Sequence, residues 1–155
     1  NFEKSRKKYF INDLNNSFNK KLYSTFISFL PKNKFTYPLV AKKDKRGYFV
    51  EFLKNENIGQ ISVFIAKKNV TRGKHFHHTK VEKFLVVKGS AKFYLRNMAT
   101  NESAEFKLDH KNPKVIESIP GWTHYIKNTG KDDLVVLLWS NEVFNVKKPD
   151  TIYHE

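Results

Sequence analysis

Beyond residue 37 the chain has no stretch both long and periodic enough to make a helix that crosses between parallel strands. It carries instead a series of short runs rich in β-branched and aromatic residues, at 48–53, 60–66, 84–87, 91–95, 115–119, 124–126 and 134–139. Turn-forming clusters of Gly, Pro, Asn, Asp and Ser, some with Lys, separate them at 44–47, 55–59, 67–69, 88–90, 97–103, 120–121 and 128–133. Parallel strands need a crossover of a dozen or more residues, so this pattern argues against an α/β sheet and predicts an all-β antiparallel barrel. At 155 residues there is material for one core and an appendage. No internal repeat or low-complexity tract interrupts it.

The region before residue 37 has a different period. Phe10, Leu14, Phe18, Leu22, Phe26 and Leu30 recur every four residues, which predicts a helical stripe ended by Pro31. Asn12, Asn15, Asn16 and Ser17 weaken its middle, so two shorter helices satisfy the pattern as well as one. An aromatic stripe of this kind has to be covered, by the barrel or by a second copy of the chain.

Composition narrows the chemistry. There is no cysteine, which removes disulfides and thiolate-bound metals and leaves nitrogen and oxygen donors. No run of some 18 apolar residues is present and residues 1–8 are charged rather than a leader, so a soluble, cytoplasmic protein with no membrane contact is expected. The net charge is +14. Residues 1–48 hold 12 Lys/Arg against 3 Asp/Glu, a balance of +9, and the remainder contributes only +5. The excess therefore lies mostly outside the expected barrel, and it is lysine-rich; only Arg6, Arg46, Arg72 and Arg96 offer the planar fork that reads base edges. A solvated basic surface is expected rather than a nucleic-acid-binding one.

Chemistry concentrates at Thr71-Arg72-Gly73-Lys74-His75-Phe76-His77-His78-Thr79-Lys80-Val81-Glu82. On a strand, residues two apart share a face, so His75 and His77 project together while Phe76 packs on the other side. Residues 78–81 suffice for a turn that returns Glu82 to the two imidazoles. Pro120-Gly121 then leads into a strand carrying His124. Three His and one Glu suit zinc, iron, nickel or manganese and leave a position for water or a substrate oxygen. Histidines that merely hydrogen-bond inside a polar barrel are the alternative. Phe76, Phe84, Phe93 and Trp139 are expected to form core.

The spacing His75-x-His77, four residues, Glu82, six residues, Gly89, and then Gly121, two residues, His124, three residues, Asn128, resembles the two signature motifs of the cupin superfamily. That resemblance implies a jelly-roll barrel, or double-stranded β-helix, over 37–155, with 1–36 as a helical segment or linker. Asn69 stands where the superfamily usually has glycine, a tolerable exchange because Asn enters the left-handed region more readily than other side chains. The proline of the second motif is displaced to Pro120.

A longer similarity runs through Leu22-Tyr23-Ser24-Thr25, Arg46-Gly47-x-Phe49-x-Glu51, Gly59-Gln60-x-Ser62-Val63, the stretch from His75 to Val87, Trp139-x-Asn141-Glu142-x-Phe144 and Pro149-Asp150-Thr151. These strings are similar to the C-terminal half of the CapF family of capsular polysaccharide synthesis enzymes. The resemblance implies one Zn2+ on His75, His77, Glu82 and His124, and C3 epimerisation of a UDP-4-keto-6-deoxy-hexosamine. It also implies a nucleotide-dependent reductase domain or subunit, since neither Gly-x-Gly-x-x-Gly nor Tyr-x-x-x-Lys occurs in this sequence. Another metal-cupin activity, isomerase or dioxygenase, or a non-catalytic sugar-binding role, is compatible with the same ligands.

Epimerisation beside a ketone needs a proton carrier and a positive group for the oxyanion on C4. By residue type the catalytic candidates are His78, Lys80 and Tyr94; Tyr125 is less favoured because it should face away from His124. Arg46, Arg72 and Lys74 are the candidate partners of the substrate diphosphate. Arg72 lies three residues before His75, so it reaches the same face only if a bulge near Gly73 re-aims it. A homodimer is expected, because sheet edges and the aromatic stripe both call for cover.

Overall fold

The computed structural model describes residues 2–11 and 14–154, so Asn12, expected to weaken the first helical segment, lies outside the described residues. Two helices precede the strands, α1 (Phe2–Lys7) and α2 (Ser17–Ser28), followed by a 3-10 turn at Lys32–Lys34. The four-residue stripe is thus divided. Asn16 caps α2 by accepting a hydrogen bond from the Phe18 amide at 2.8 Å, which explains why the second helix starts where the asparagines cluster. Phe2 packs on Tyr23 and Phe26 of α2, at ring separations of 5.2 and 5.4 Å. Phe10 belongs to neither helix. It makes a parallel bridge to Lys54, where the Lys54 amide donates to Tyr9 O and the Ile11 amide to Lys54 O.

The strands are β1 (Ala41–Asp44), β2 (Gly47–Asn55), β3 (Gly59–Ala66), β4 (Thr71–Phe76), β5 (Glu82–Lys88) and β6 (Ser90–Asn97), then β7 (Ser103–Asp109), β8 (Val115–Glu117), β9 (Trp122–Asn128), β10 (Leu134–Ser140) and β11 (Ile152–Tyr153). They form two antiparallel sheets, ordered β1-β2-β3-β10-β5-β8 and β11-β4-β9-β6-β7. No helix lies between the strands, as the turn pattern requires. The inner faces meet in a core of Phe64, Ala66, Phe84, Val86, Phe93 and Leu95, closed by Leu108, Ile126, Leu134 and Val136. Period-two alternation sets this up: in β6, Ala91, Phe93 and Leu95 are buried while Lys92, Tyr94 and Arg96 are not.

Three strands escaped the sequence pattern. β1 has Ala41 as its one apolar residue, β11 is only two residues long, and β7, although Ala104, Phe106 and Leu108 alternate along it, is an edge strand in which only Leu108 is buried. Two expected core residues are corrected as well. Phe76 and Trp139 are only partly buried, because each alternates with inward residues, Phe76 with His75 and His77 and Trp139 with Leu138 and Ser140. Trp139 instead donates its indole N–H to Ile58 O at 2.7 Å.

Candidate metal centre

The centre is assembled where β4, β5 and β9 converge. β4 pairs with β9 through Arg72↔Ile126, Gly73↔Tyr125 and His75↔His124, with a register shift between Gly73 and His75. Lys74 is the extra residue of a bulge, and both bulge positions lie in the left-handed region, Gly73 at φ +104° and Lys74 at φ +66°. The bulge changes the parity of the strand. Arg72, opposite buried Ile126, and His75, opposite His124, come to the same face although they are three residues apart. His77 follows directly after β4. Glu82 opens β5, where its amide donates to Ser118 Oγ at 2.8 Å and its carbonyl accepts from the Ser118 amide at 2.8 Å.

One donor atom from each of His75, His77, Glu82 and His124 lies within 4.8 Å of the others. Glu82 Oε2 is 3.2 Å from His77 Nε2 and 3.3 Å from His124 Nε2, the latter too misaligned to count as a hydrogen bond. His77 is 1 % exposed, His124 2 % and Glu82 7 %. Both ring nitrogens of His124, and Nδ1 of His75, are buried without a hydrogen-bond partner. Orphaned buried nitrogens are costly, and three imidazoles gathered around a carboxylate remove that cost by ligating a cation. The residues therefore fit a divalent transition metal.

Electrostatics point the same way. Burial pushes His75 down to about 3, helped by the neighbouring His124, so its imidazole is neutral near pH 7 and free to ligate. Burial by itself would raise the Glu82 carboxyl. His124 and His77, with Lys80 Nζ 3.7 Å from Oε1, outweigh it and hold Glu82 well below the usual carboxylate range.

A strap from the end of the chain buttresses the ligands. The Asp150 carbonyl accepts from His77 Nδ1 at 2.5 Å, which leaves Nε2 as the unprotonated, metal-facing nitrogen. The Asp150 carboxylate accepts the amides of His78 (2.9 Å), Thr79 (2.7 Å) and Lys80 (2.8 Å), and the Thr79 hydroxyl (3.0 Å). Lys80 Nζ donates to Thr151 Oγ1 at 3.0 Å. Beyond it Tyr153 pairs with His75 across the β4–β11 ladder and stands edge-on to its ring, 5.7 Å away.

Two clefts open beside Glu82. One, of ≈ 200 Å3, is lined by Arg46, Arg72, His75, Glu82, His124 and Tyr153 among others. The second, of ≈ 190 Å3, shares Phe49, Glu82 and Leu138 with it and adds Lys42, Glu51 and Lys80. Arg46 and Arg72 thus reach the first cleft and Lys80 the second. Lys74 is exposed at the bulge and lines neither. His78 is exposed and turned onto the outward ring of Phe76. Tyr94 stacks on Tyr125, 4.9 Å away, on the outer side of the second sheet, because its neighbours Phe93 and Leu95 take the inner face. Asp150 and Tyr153 were not legible as site residues. Asp150 is 73 residues from His77, and Tyr153 sits in a two-residue strand with no pattern of its own.

Residues 42–152 match the family described as polysaccharide biosynthesis C-terminal domain. The UDP-2-acetamido-2,6-beta-L-arabino-hexul-4-ose reductase of Pseudomonas aeruginosa is 47% identical over 150 residues, which are 97% of this chain and 40% of that protein. The crystal structure of the capsular polysaccharide assembling protein CapF from Staphylococcus aureus superposes with a TM-score of 0.96 at 42% identity, over 99% of this chain and 45% of that one. CapF with the inhibitor 3-isopropenyl-tropolone gives a TM-score of 0.95 at the same identity and coverage. The fold is accordingly an all-β cupin, and the chain spans less than half the length of these relatives.

Proposed function

Because the chain belongs to the family of polysaccharide biosynthesis C-terminal domains, we propose that it is a metal-dependent sugar-nucleotide 3-epimerase. Its substrate would be a UDP-4-keto-6-deoxy-hexosamine on the way to capsule or another surface polysaccharide, and its ion zinc, one per chain. The relatives are named for a reductase of a keto-sugar nucleotide and for capsule assembly, and this chain covers 40–45% of their length. A reductase domain or subunit completing the sequence is part of the proposal, as is a cytoplasmic setting. The observation that carries the reading is the set of partnerless buried imidazole nitrogens around Glu82 at the floor of an open cleft.

His75, His77, Glu82 and His124 would hold the ion, which would supply positive charge for the oxygen of a C4 ketone. Inversion at C3 needs a proton taken from one face of the sugar and returned on the other. The two clefts flank Glu82, and among the proton-carrying groups that line them are Lys80 in one and Tyr153 in the other. We assign Lys80 and Tyr153 these roles. Hydrogen–deuterium exchange at sugar C3 tests the function directly: purified protein, a UDP-4-keto-hexosamine and heavy water, followed by mass spectrometry. A mass gain of one at C3 is expected, and no exchange with metal-loaded, folded protein would refute the reading.

A further inference from the structure

The cationic wall of the first cleft contains a guanidinium with no ion-pair partner among the described residues. Asp44 is committed to Arg46, accepting from its amide (2.8 Å), Nε (2.9 Å) and Nη2 (2.5 Å). Glu82, the cleft's own carboxylate, is paired with Lys80, 3.7 Å away. Arg72 has neither. Its guanidinium lies over the Phe64 ring, 5.3 Å from the centroid, and Nη1 is buried with no hydrogen-bond partner. Burial and the neighbouring Arg46 both press against its charge.

The chain reaches this arrangement only by distorting β4. Without the bulge, Arg72 would point to the outer face of the sheet. With it, Gly73 approaches β9 so closely that a Cβ would fall 2.7 Å from His124 O, and Lys74 takes a left-handed conformation that side chains rarely adopt. A strained backbone that turns a cation inward to leave it unpaired has the signature of a site awaiting an anion. A planar guanidinium braced on an aromatic ring, with a second guanidinium beside it, suits phosphate oxygens.

We propose that Arg72, with Arg46 beside it, is the subsite for the diphosphate of a nucleotide-linked substrate, fixing the sugar against the His75–His124 side of the cleft. This rests on the sugar-nucleotide reading given above, and its test is arranged so that either can fail alone. Binding of UDP and of uridine to metal-loaded protein is measured by calorimetry, for the wild type, Arg72→Met, Arg72→Lys and Lys74→Met. UDP should bind and uridine should not. Arg72→Met should weaken UDP at least about tenfold with metal content unchanged, Arg72→Lys should fall between, and Lys74→Met, altered at the exposed bulge residue, should match the wild type. Inorganic pyrophosphate should displace UDP from the wild type, a result that stands even if Arg72→Met does not fold. UDP binding equal in folded Arg72→Met and wild type, equal affinity for uridine and UDP, or failure of pyrophosphate to compete would each overturn the subsite. UDP binding that depends on Arg72 without C3 exchange would leave the subsite standing and remove the epimerase. Exchange with an unchanged KM in Arg72→Met would do the reverse.

Discussion

His77 donates its Nδ1–H to the Asp150 carbonyl, which turns Nε2 towards Glu82, 3.2 Å away. Asp150 can hold that carbonyl in place because its own carboxylate is anchored by three consecutive amides. Those hydrogen bonds keep the carboxyl well below its ordinary range, outweighing the burial that pushes it up. Releasing the side chain should therefore loosen a ligand it never touches. Asp150→Ala is expected to weaken metal binding about 10–100-fold, read by competition with a chromophoric chelator, with a changed Co2+ absorption spectrum as the sign of an altered ligand field. His77→Ala should lose the ion, and elemental analysis of the folded variant checks it; full metal content would count against the four-ligand site. The ligands themselves were legible because strand and turn geometry turn spacing into direction. Asp150 was not, since its partners lie 70–73 residues away. Tyr94 shows a rule available but unapplied: alternation with Phe93 and Leu95 already placed it on the outer face.

At the scale of the element, the β4 bulge sets the orientation of both Arg72 and His75. Gly73→Ala puts a Cβ 2.7 Å from the His124 carbonyl at φ +104°, so backbone has to move. We expect a loss of about 1–3 kcal/mol in unfolding free energy and weaker metal binding, because the displaced strand carries a ligand. Gly121→Ala is the contrast. Its φ is +77° but a Cβ there meets nothing within 4 Å, so only the intrinsic cost of the left-handed conformation, about 1 kcal/mol, should appear in urea unfolding, without loss of metal. Equal effects in the two variants would mean that close approach at Gly73 is unimportant. The sequence condition was explicit, Arg72 inward only if a bulge intervenes, but the bulge itself was not readable: β-ladder register is a property of two strands. The asparagine at the neighbouring turn was readable, and Asn69 has φ +60°. Strands with alternating apolar residues were mostly found; β1 is polar and β11 only two residues long, whereas β7 carries the alternation in Ala104, Phe106 and Leu108 and was legible but not read.

Across the whole molecule the candidate ligands draw on both sheets: Glu82 comes from the first, His75 and His124 from the second, and His77 adds the strap at Asp150. Apolar side chains are left uncovered elsewhere, among them Phe18 (68 % exposed) and Phe29 (82 %) in the N-terminal region and Phe106 and Val115 on the edge strands β7 and β8. The architecture was legible because turn spacing and alternation fix an antiparallel barrel. We propose a homodimer, and sedimentation at micromolar concentration should give twice the chain mass of 18.3 kDa; a monomer there would reject it. An ion held by residues of both sheets would stabilise the fold, so a drop in Tm on chelation, reversed by adding zinc, is expected whether or not the ion takes part in chemistry. The discriminating quantity is the C3 exchange rate per folded molecule. Positive charge beside a ketone oxygen interacts most strongly when the proton has largely gone, so removing it should slow exchange far more than it weakens UDP-sugar binding. Chelated protein, verified as folded by circular dichroism and exchanging at the native rate, would confine the ion to holding the sheets together and leave Lys80 and Tyr153 to carry the proton alone.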